Sequence, residues 1–220
     1  MVPGMILHVG LTGGIATGKS TISRTFAGLG CVTVDADAVV ARLYRPGEAG
    51  HASLVKTYGR GILREDGEID RQKLADIAFV DAASSQKLNA LIHPLVLEAE
   101  EEILRAEIAR FPDRERIFVI EATLLLEAGG RERYDRIVVI DAPPEVQIER
   151  GIARGMTREE VTRRIAHQMP REERLRHADY VIDNSVDART AEIETHRVFN
   201  RLQADLLARK TTGSLPPVAR

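Results

Sequence analysis

The sequence predicts an α/β fold with a doubly wound, parallel, five-stranded sheet flanked by helices. Five short apolar runs predict the strands, over residues 6–11, 32–34, 117–121, 136–141 and 180–184. Runs that are apolar at nearly every position are typical of strands covered on both faces, as in a parallel sheet. Segments with helical spacing of apolar residues lie between them, and this alternation is the pattern of an α/β domain.

A glycine-rich motif over residues 13–20, Gly-Gly-Ile-Ala-Thr-Gly-Lys-Ser, lies between the first predicted strand and a helical segment. The pattern G-x-x-x-x-G-K-S in that context indicates a phosphate-binding loop. Its backbone N–H groups and the helix start favour a bound anion. Lys19 is expected to act on the β- and γ-phosphates of a nucleoside triphosphate, and the Ser20 hydroxyl to hold Mg²⁺. The alternative is a turn that merely joins a strand to a helix.

The composition is that of a globular enzyme without a strongly charged partner. Of the 220 residues, 44% are hydrophobic and 29% charged, and the net charge is −2. This balance predicts no general attraction to nucleic acid or to a membrane. The lone cysteine, Cys31, excludes an internal disulfide and is expected to be buried. With no apolar run of membrane-spanning length and no signal peptide, the predicted location is cytoplasmic.

Two insertions are predicted to interrupt the sheet, the first of them helical and the second rich in arginine. The predicted segments are a nucleotide-binding core over 5–38, 111–146 and 179–208, a helical block over 39–110, an arginine-rich insertion over 147–178, and a disordered tail over 209–220. About half of the arginines in the second insertion are expected to be solvated ion-pair partners, and the others to close over phosphates. These arginines are Arg150, Arg154, Arg158, Arg163, Arg164, Arg171, Arg174 and Arg176.

Local signals predict several helix boundaries. Asp70 is expected to cap a helix over 71–79, and Thr157 with Glu160 forms a capping box. A long helical pattern over 85–110 contains Pro94, where the helix is expected to bend or restart. A last helix over 189–207 is expected to cover the sheet with one apolar face, formed by Ile193, Val198, Leu202 and Leu206.

Three carboxylates follow predicted strands at the edge where ligands bind in α/β sheets. Asp37 is a candidate base for an acceptor hydroxyl, or equally the N-cap of a helix over 38–44. Asp35 could serve either as this base or as the N-cap. Glu121 is expected near the metal, bound to it directly or through water. His93 could contact a substrate, or could be satisfied within the helical block.

The motifs resemble those of the dephospho-coenzyme A kinase family over about residues 6–207. Beside the phosphate loop, the resemblance rests on Val34-Asp35-Ala36-Asp37, the Asp66–Arg71 turn, His93-Pro94, Leu124–Glu127, Glu149-Arg150, Gln168–Arg171 and Val181–Asn184, in that order. The chain departs from the family pattern at Ala122-Thr123, where proline is usual at the second position, and at Val186, where glycine is common.

The resemblance implies transfer of the γ-phosphate of ATP to the ribose 3′-hydroxyl of dephospho-coenzyme A, the last step of coenzyme A biosynthesis. It implies that the helical block binds the acceptor and that the arginine-rich insertion is a lid. Asp37 would activate the hydroxyl, Arg150 would stabilise the transferring phosphoryl group, and Arg42 and His93 would lie beside the acceptor. The residues expected to bind ATP are Gly14, Ala16, Thr17, Gly18, Lys19, Ser20, Thr21 and Asn184.

Two other functions remain open at this point. One is a P-loop kinase that acts on a nucleoside monophosphate or a small alcohol. The other is a nucleotide-dependent switch without transferase activity, which would need no carboxylate at Asp37. The chain is expected to be a monomer or a weak homo-oligomer.

Overall fold

The computed structural model describes residues 4–218, which form two compact units. The first unit contains the described residues up to Asp35 and those from Ile108 onward, and the second contains Ala36–Glu107. The second unit includes most of the predicted helical block. The functions assigned from the sequence to the block and to the arginine-rich insertion stay predictions.

The first unit is built on a parallel sheet with the strand order β2-β3-β1-β4-β5. Helices flank this sheet, which confirms the predicted fold class. The strands are β1 (Ile6–Gly13), β2 (Val32–Asp35), β3 (Arg116–Glu121), β4 (Arg136–Asp141) and β5 (Tyr180–Asp183).

The register of the sheet brings the carboxyl ends of the strands to one edge. Glu121 pairs with Leu11 on one side and with Asp35 on the other. On the far side of β1, Gly13 pairs with Ile140. The glycine-rich loop and the carboxylates that end β2 and β3, Asp35 and Glu121, therefore share this edge, where ligands bind in such sheets.

The helices of the described residues follow the predicted pattern, with boundaries shifted by a few positions. They are α1 (Lys19–Gly28), α2 (Ala36–Leu43), α3 (Ala49–Tyr58), α4 (Arg71–Ala78), α5 (Ala82–Arg110), α6 (Pro144–Ala153), α7 (Arg158–Ala166), α8 (Arg171–Arg176) and α9 (Ala188–Thr212). The capping box of Thr157 and Glu160 begins α7 as predicted. No helix within residues 4–218 combines the length and the apolar character needed to cross a bilayer.

The core of the first unit lies between the sheet, α1 and α9. Phe26 of α1 and Leu202 of α9 are fully buried, and Cys31 is buried as expected. Val198 and Leu206 also face this core, but Ile193 is 48% exposed, so its predicted place in the buried face is wrong.

Smaller residues complete the buried face of α9 in place of Ile193. Ala191 and Thr195 are buried there, and the Thr195 hydroxyl donates to the Ala191 carbonyl at 2.6 Å. The helical turn thus satisfies the polar group that it buries, as a buried hydroxyl requires. An apolar pattern with a period of 3.6 residues does not distinguish this arrangement from one that buries Ile193.

The second unit is helical, with one short antiparallel bridge between Leu63 and Ile69. The Asp70 side chain accepts hydrogen bonds from the N–H groups of Gln72 and Lys73, which confirms it as the N-cap of α4. This cap and the bridge just before it fix the point where the chain enters α4. The cap satisfies N–H groups that the first turn of a helix leaves unpaired, and beside the bridge the Asp70 N–H donates to the Ile62 carbonyl at 2.8 Å.

Helix α5 is 29 residues long and continues through Pro94, so it does not restart there; the other expectation, a bend at Pro94, stays a prediction. A proline inside a helix removes one backbone hydrogen bond and costs about 3 kcal/mol. Leu88, Ile92 and Val96 lie on both sides of the proline and are buried. Burial of side chains of this size contributes roughly 1.5–3 kcal/mol each, which is enough to offset the cost.

The C-terminal segment is ordered further than predicted. Helix α9 extends to Thr212 instead of 207, and Leu215 and Val218 pack against the core. The Pro216 carbonyl accepts a hydrogen bond of 2.6 Å from Arg136. The predicted disorder is therefore wrong for residues 209–218, and the remainder of that prediction, 219–220, lies outside the described residues.

Candidate active site

The phosphate loop joins β1 to α1, and its backbone leaves no room for a side chain at Gly13 or Gly18. Gly18 precedes α1 with φ of 95°, in the left-handed region that favours glycine. A Cβ atom on Gly13 would lie 2.5 Å from the Ile140 carbonyl oxygen. Because α1 begins at Lys19, the N–H groups of its first turn lie at the loop, where a helix start favours a bound phosphate.

Lys19 places its ammonium group on the loop itself. Its Nζ atom donates to the carbonyl oxygens of Gly13 at 3.1 Å and of Gly14 at 3.3 Å. An ammonium group is a compact charge on a flexible stem, and two backbone acceptors limit where that charge can lie. The positive charge is therefore held at the loop, where the sequence predicts the phosphates to bind.

The end of β5 contacts the opposite side of the loop. The Asn184 side-chain amide donates to the Thr17 carbonyl at 2.7 Å, and both residues are buried. The Thr17 hydroxyl turns inward and donates to the Gly14 carbonyl at 2.9 Å. The structure thus brings together Gly14, Thr17 and Asn184, three of the residues that the sequence assigns to ATP.

Glu121 lies at the end of β3, next to the first turn of α1. The Ser20 hydroxyl donates to its Oε1 atom at 3.4 Å. Burial raises the pKa of the Glu121 carboxyl and the nearby Asp35 raises it further, while Ser23, Lys19 and Ser20 act in the opposite direction. A buried carboxylate with a raised pKa is poised to gain stability from a bound cation.

Arg150 projects from α6 toward the same end of β5. Its Nη1 atom donates to the Asn184 carbonyl at 2.8 Å. Beside this contact lies a cavity of about 400 Å³, lined by Gly18, Thr21, Arg150 and Arg154 among others. The cavity brings one of the predicted catalytic residues next to three predicted ATP-binding residues.

Some arginines of the second insertion have structural partners. Arg171 makes a bidentate ion pair with Asp141, at 2.8 and 2.6 Å, and Arg174 is buried with Nη2 2.7 Å from the Met169 carbonyl. These contacts lie within the insertion and at the end of β4, and the buried Nε atom of Arg174 makes no hydrogen bond within the described residues. Arg171 is an ion-pair partner of the kind expected for part of this group, whereas Arg174 is buried against a backbone carbonyl and is not solvated.

Sequence reasoning did not single out Gln147, which lies in the first half of α6. It is buried, and its amide donates to the Ala142 carbonyl at 2.8 Å. A Cβ atom on Gly14 would lie 2.5 Å from its Oε1 atom, so the glutamine packs on the bare backbone of the loop. The sequence gives no direct signal for this contact. Its one indication is the glycine at position 14, which leaves space for a neighbouring side chain.

Asp37, Arg42 and His93 belong to the second unit, and all three side chains are exposed. Asp37 lies inside the first turn of α2, which begins at Ala36, so it is not the N-cap residue. His93 is exposed on α5, so the interpretation that it is satisfied inside the helical block does not apply to it. The roles of these residues toward an acceptor stay predictions.

The fold and the phosphate loop together define a P-loop kinase. The family model for dephospho-CoA kinase matches residues 7–190, most of the chain. The chain therefore belongs to the dephospho-CoA kinase family, which confirms the resemblance drawn from its motifs.

Named relatives match over nearly their full lengths. The chain is 41% identical to the dephospho-CoA kinase of Aquifex aeolicus over 198 residues, which are 90% of this chain and 98% of that protein. It is 42% identical to the dephospho-CoA kinase of Geobacter sulfurreducens over 178 residues, 80% of this chain and 89% of the relative.

Two solved structures share the fold of this chain. A crystal structure of a Thermus thermophilus protein superposes with a TM-score of 0.75 at 29% identity, covering 92% of this chain and 98% of the other. The dephospho-CoA kinase from Campylobacter jejuni superposes with a TM-score of 0.63 at 23% identity, covering 91% and 98%. The likeness to the Campylobacter jejuni protein shows the shared fold alone.

Proposed function

We propose that this chain transfers the γ-phosphoryl group of ATP to the ribose 3′-hydroxyl of dephospho-coenzyme A, the last step of coenzyme A biosynthesis. In this reaction the bond between the γ-phosphorus and the β–γ bridging oxygen breaks. A bond forms between that phosphorus and the 3′-oxygen, whose proton passes to Asp37. The products are ADP and coenzyme A.

The observation that carries the proposal is the phosphate loop with Lys19 held on its two carbonyls, in a chain of this family. Phosphoryl transfer depends on positioning and on neutralising charge more than on covalent chemistry. The loop N–H groups and the start of α1 would hold the β-phosphate. Lys19 would offset the charge on the β- and γ-phosphates, and Thr17 and Asn184 would keep the loop in shape.

We assign the divalent cation of the reaction to Ser20 and Glu121. A hydroxyl and a carboxylate are oxygen donors of the kind that Mg²⁺ prefers, and this ion usually keeps waters and phosphate oxygens as its other ligands. The raised pKa of the buried Glu121 carboxyl supports the assignment, because a nearby cation would favour its ionised form. When bound, Mg²⁺ would neutralise charge on the phosphates.

On the acceptor side, Asp37 is proposed to orient the 3′-hydroxyl and take its proton, with Arg42 and His93 as acceptor contacts. Support comes from their exposure, which leaves the three side chains accessible to a ligand, and from the position of Asp37 two residues after the end of β2. A carboxylate within hydrogen-bond reach of an alcohol contributes about 10²–10⁴-fold to such a transfer.

The arginine-rich insertion is proposed to act as a lid. Arg150 lines the cavity beside Gly18 and would place positive charge on the transferring phosphoryl group. Closure of a lid also excludes water, which would otherwise accept the phosphoryl group and hydrolyse the nucleotide.

The direct test is ATP turnover with dephospho-coenzyme A, AMP, CMP and water as acceptors, with the product identified by mass. We expect rapid ADP formation only with dephospho-coenzyme A, and a product heavier by one phosphoryl group. Faster turnover with AMP or CMP would favour the alternative that the chain is a kinase of nucleoside monophosphates. Turnover that no acceptor stimulates would favour a nucleotide switch.

We also propose a cellular location and an oligomeric state for the enzyme. The buried, free Cys31 suits a reducing compartment, so a cytoplasmic location is proposed. A monomer or weak homo-oligomer is proposed, without nucleic acid or membrane as a partner. Light scattering on the purified chain measures the oligomeric state directly.

A further inference from the structure

A glutamine from the arginine-rich insertion holds the phosphate loop. The backbone N–H of Ile15 donates to Oε1 of Gln168 at 2.9 Å, a contact between residues 153 positions apart. A backbone N–H can only donate, so the amide of Gln168 must present its oxygen to the loop. The side chain of Gln168 is partly buried, which limits competition from water for this bond.

The short segment 168–171, which contains this glutamine, makes contacts at two further places on the same edge of the sheet. The Met169 N–H donates to the Glu127 carboxylate at 2.8 Å, in the loop after β3. Arg171 makes its bidentate pair with Asp141 at the end of β4. Contacts to the loops after β1 and β3 and to the last residue of β4 therefore fix this part of the insertion, which supports Gln168 in its contact with the phosphate loop.

The hydrogen bond of Gln168 falls on the same peptide unit that holds Lys19. The N–H of Ile15 and the C=O of Gly14 belong to one planar trans peptide, and their directions are opposite. The carbonyl accepts from Lys19 Nζ at 3.3 Å and from the Thr17 hydroxyl at 2.9 Å. A hydrogen bond that fixes the direction of the Ile15 N–H therefore also fixes the direction of the Gly14 carbonyl. The hydrogen bonds at the two ends of this peptide also polarise one another.

We propose that Gln168 is a positioning residue for the phosphate loop: through the Gly14–Ile15 peptide, it sets the direction of the carbonyl that holds the ammonium group of Lys19. The peptide cannot rotate to present its carbonyl elsewhere while Gln168 holds its N–H. This couples the anchored segment of the insertion to the residue that acts on the phosphates. The inference rests on the proposed function only in assigning Lys19 to the phosphates of the nucleotide.

The test combines amide hydrogen exchange at Ile15 with ATP affinity, and both are measured without an acceptor. Gln168→Met has nearly the same length but no amide oxygen, and Gln168→Asn keeps the amide but is one methylene too short. Both are expected to speed exchange of the Ile15 amide about tenfold. Both should weaken ATP binding by about three- to tenfold, the range that one net hydrogen bond is worth.

Gln168→Glu keeps an acceptor at the same reach and is expected to restore the slow exchange of Ile15. Gln203→Met, on the exposed side of α9, is the matched control and should change neither measurement. Unchanged exchange at Ile15 in both the Met and the Asn variant would overturn the inference, as would unchanged ATP affinity in a variant whose Ile15 amide exchanges faster. Failure of the acceptor assay alone would leave these results intact, so the two proposals fail separately.

Discussion

The hydroxyl of Ser20 lies 3.4 Å from Oε1 of Glu121, so that the first turn of α1 and the end of β3 share one polar contact. Glu121 is only 5% exposed. Burial and the neighbouring Asp35 raise the pKa of its carboxyl, although Ser23, Lys19 and Ser20 partly oppose this shift. A carboxyl group in this position lowers the free energy of unfolding at neutral pH, and we infer that it is kept for the cation.

Glu121→Gln is therefore expected to stabilise the protein at pH 7 while it impairs turnover. A carboxyl whose folded-state pKa lies above its unfolded value contributes stability below the unfolded pKa, about 4.5, and loses it as pH rises through the folded pKa. Urea unfolding from pH 4 to 8, without nucleotide, should thus show wild-type stability falling relative to the variant above pH 4.5. Equal pH dependence of the two proteins would contradict the assignment.

The same variant tests the cation. If Glu121 helps to hold Mg²⁺, Glu121→Gln should raise the Mg²⁺ concentration that gives half-maximal turnover, and excess Mg²⁺ should recover part of the rate. Glu102→Gln, at an exposed position of α5, is a control that should alter neither property. An unchanged Mg²⁺ dependence would remove Glu121 from the cation site, whatever its effect on stability.

Lys19→Ala is expected to abolish phosphoryl transfer, because it removes the charge that the carbonyls of Gly13 and Gly14 hold at the loop. The measurement is ADP formation at saturating dephospho-coenzyme A, together with ATP binding by calorimetry. Lys210→Ala removes an exposed lysine that pairs with Glu115, and such surface pairs contribute only about 0–1 kcal/mol. Near-normal turnover by the Lys19 variant would refute the role assigned to the loop.

Elements governed by local chemistry could be predicted from the sequence. The five strands are continuous apolar runs, and β4 has the predicted bounds at both ends, Arg136–Asp141. The caps at Asp70 and Thr157 also form as predicted, because each needs only its own side chain and N–H groups within three residues. The phosphate loop belongs to this class, since eight consecutive residues specify it.

Features that depend on distant partners could not be predicted in the same way. The order of the C-terminal segment depends on Arg136, which is 80 positions away from the carbonyl that it binds. Gln168 belongs to a stretch that resembles the family, but its contact with Ile15 spans 153 positions and has no local signal. The predicted burial of Ile193 was wrong for a related reason. The periodicity of apolar residues defines the direction of the buried face of α9, but not how much of the helix surface the sheet covers.

Asp37→Asn is expected to lower kcat by about 10²-fold or more while ATP still binds, because an amide cannot take the proton of the acceptor hydroxyl. The exposed position of Asp37 within the first turn of α2 predicts only a small change in stability. Asp35→Asn is the informative comparison, since Asp35 is a candidate for the same role. A larger fall in kcat for the Asp35 variant would transfer the role of base to Asp35, and an equal loss of ATP affinity would indicate a structural role.

Arg150→Ala is expected to lower kcat on the order of 10³-fold if its charge acts on the transferring phosphoryl group. Its contact with the Asn184 carbonyl keeps the guanidinium beside the cavity next to Gly18. Arg197→Ala, at an exposed position of α9 outside the insertion, is the matched control. A change confined to KM for ATP would instead make Arg150 a nucleotide contact and leave the phosphoryl role to another arginine of the insertion.

Arg136→Met should cost about 3–5 kcal/mol of unfolding free energy, because it leaves a buried carboxylate without its cation. Asp205 is 2% exposed and accepts from Arg136 at 2.8 and 3.1 Å and from the Tyr180 hydroxyl at 2.7 Å. Urea unfolding measures the loss, and the exposed pair of Arg197 with Glu194 supplies the control Arg197→Met, expected below about 1 kcal/mol. A loss below about 1 kcal/mol for Arg136→Met would mean that Tyr180 alone satisfies Asp205. The pair would then be unnecessary for holding α9, and the segment after it, against the sheet.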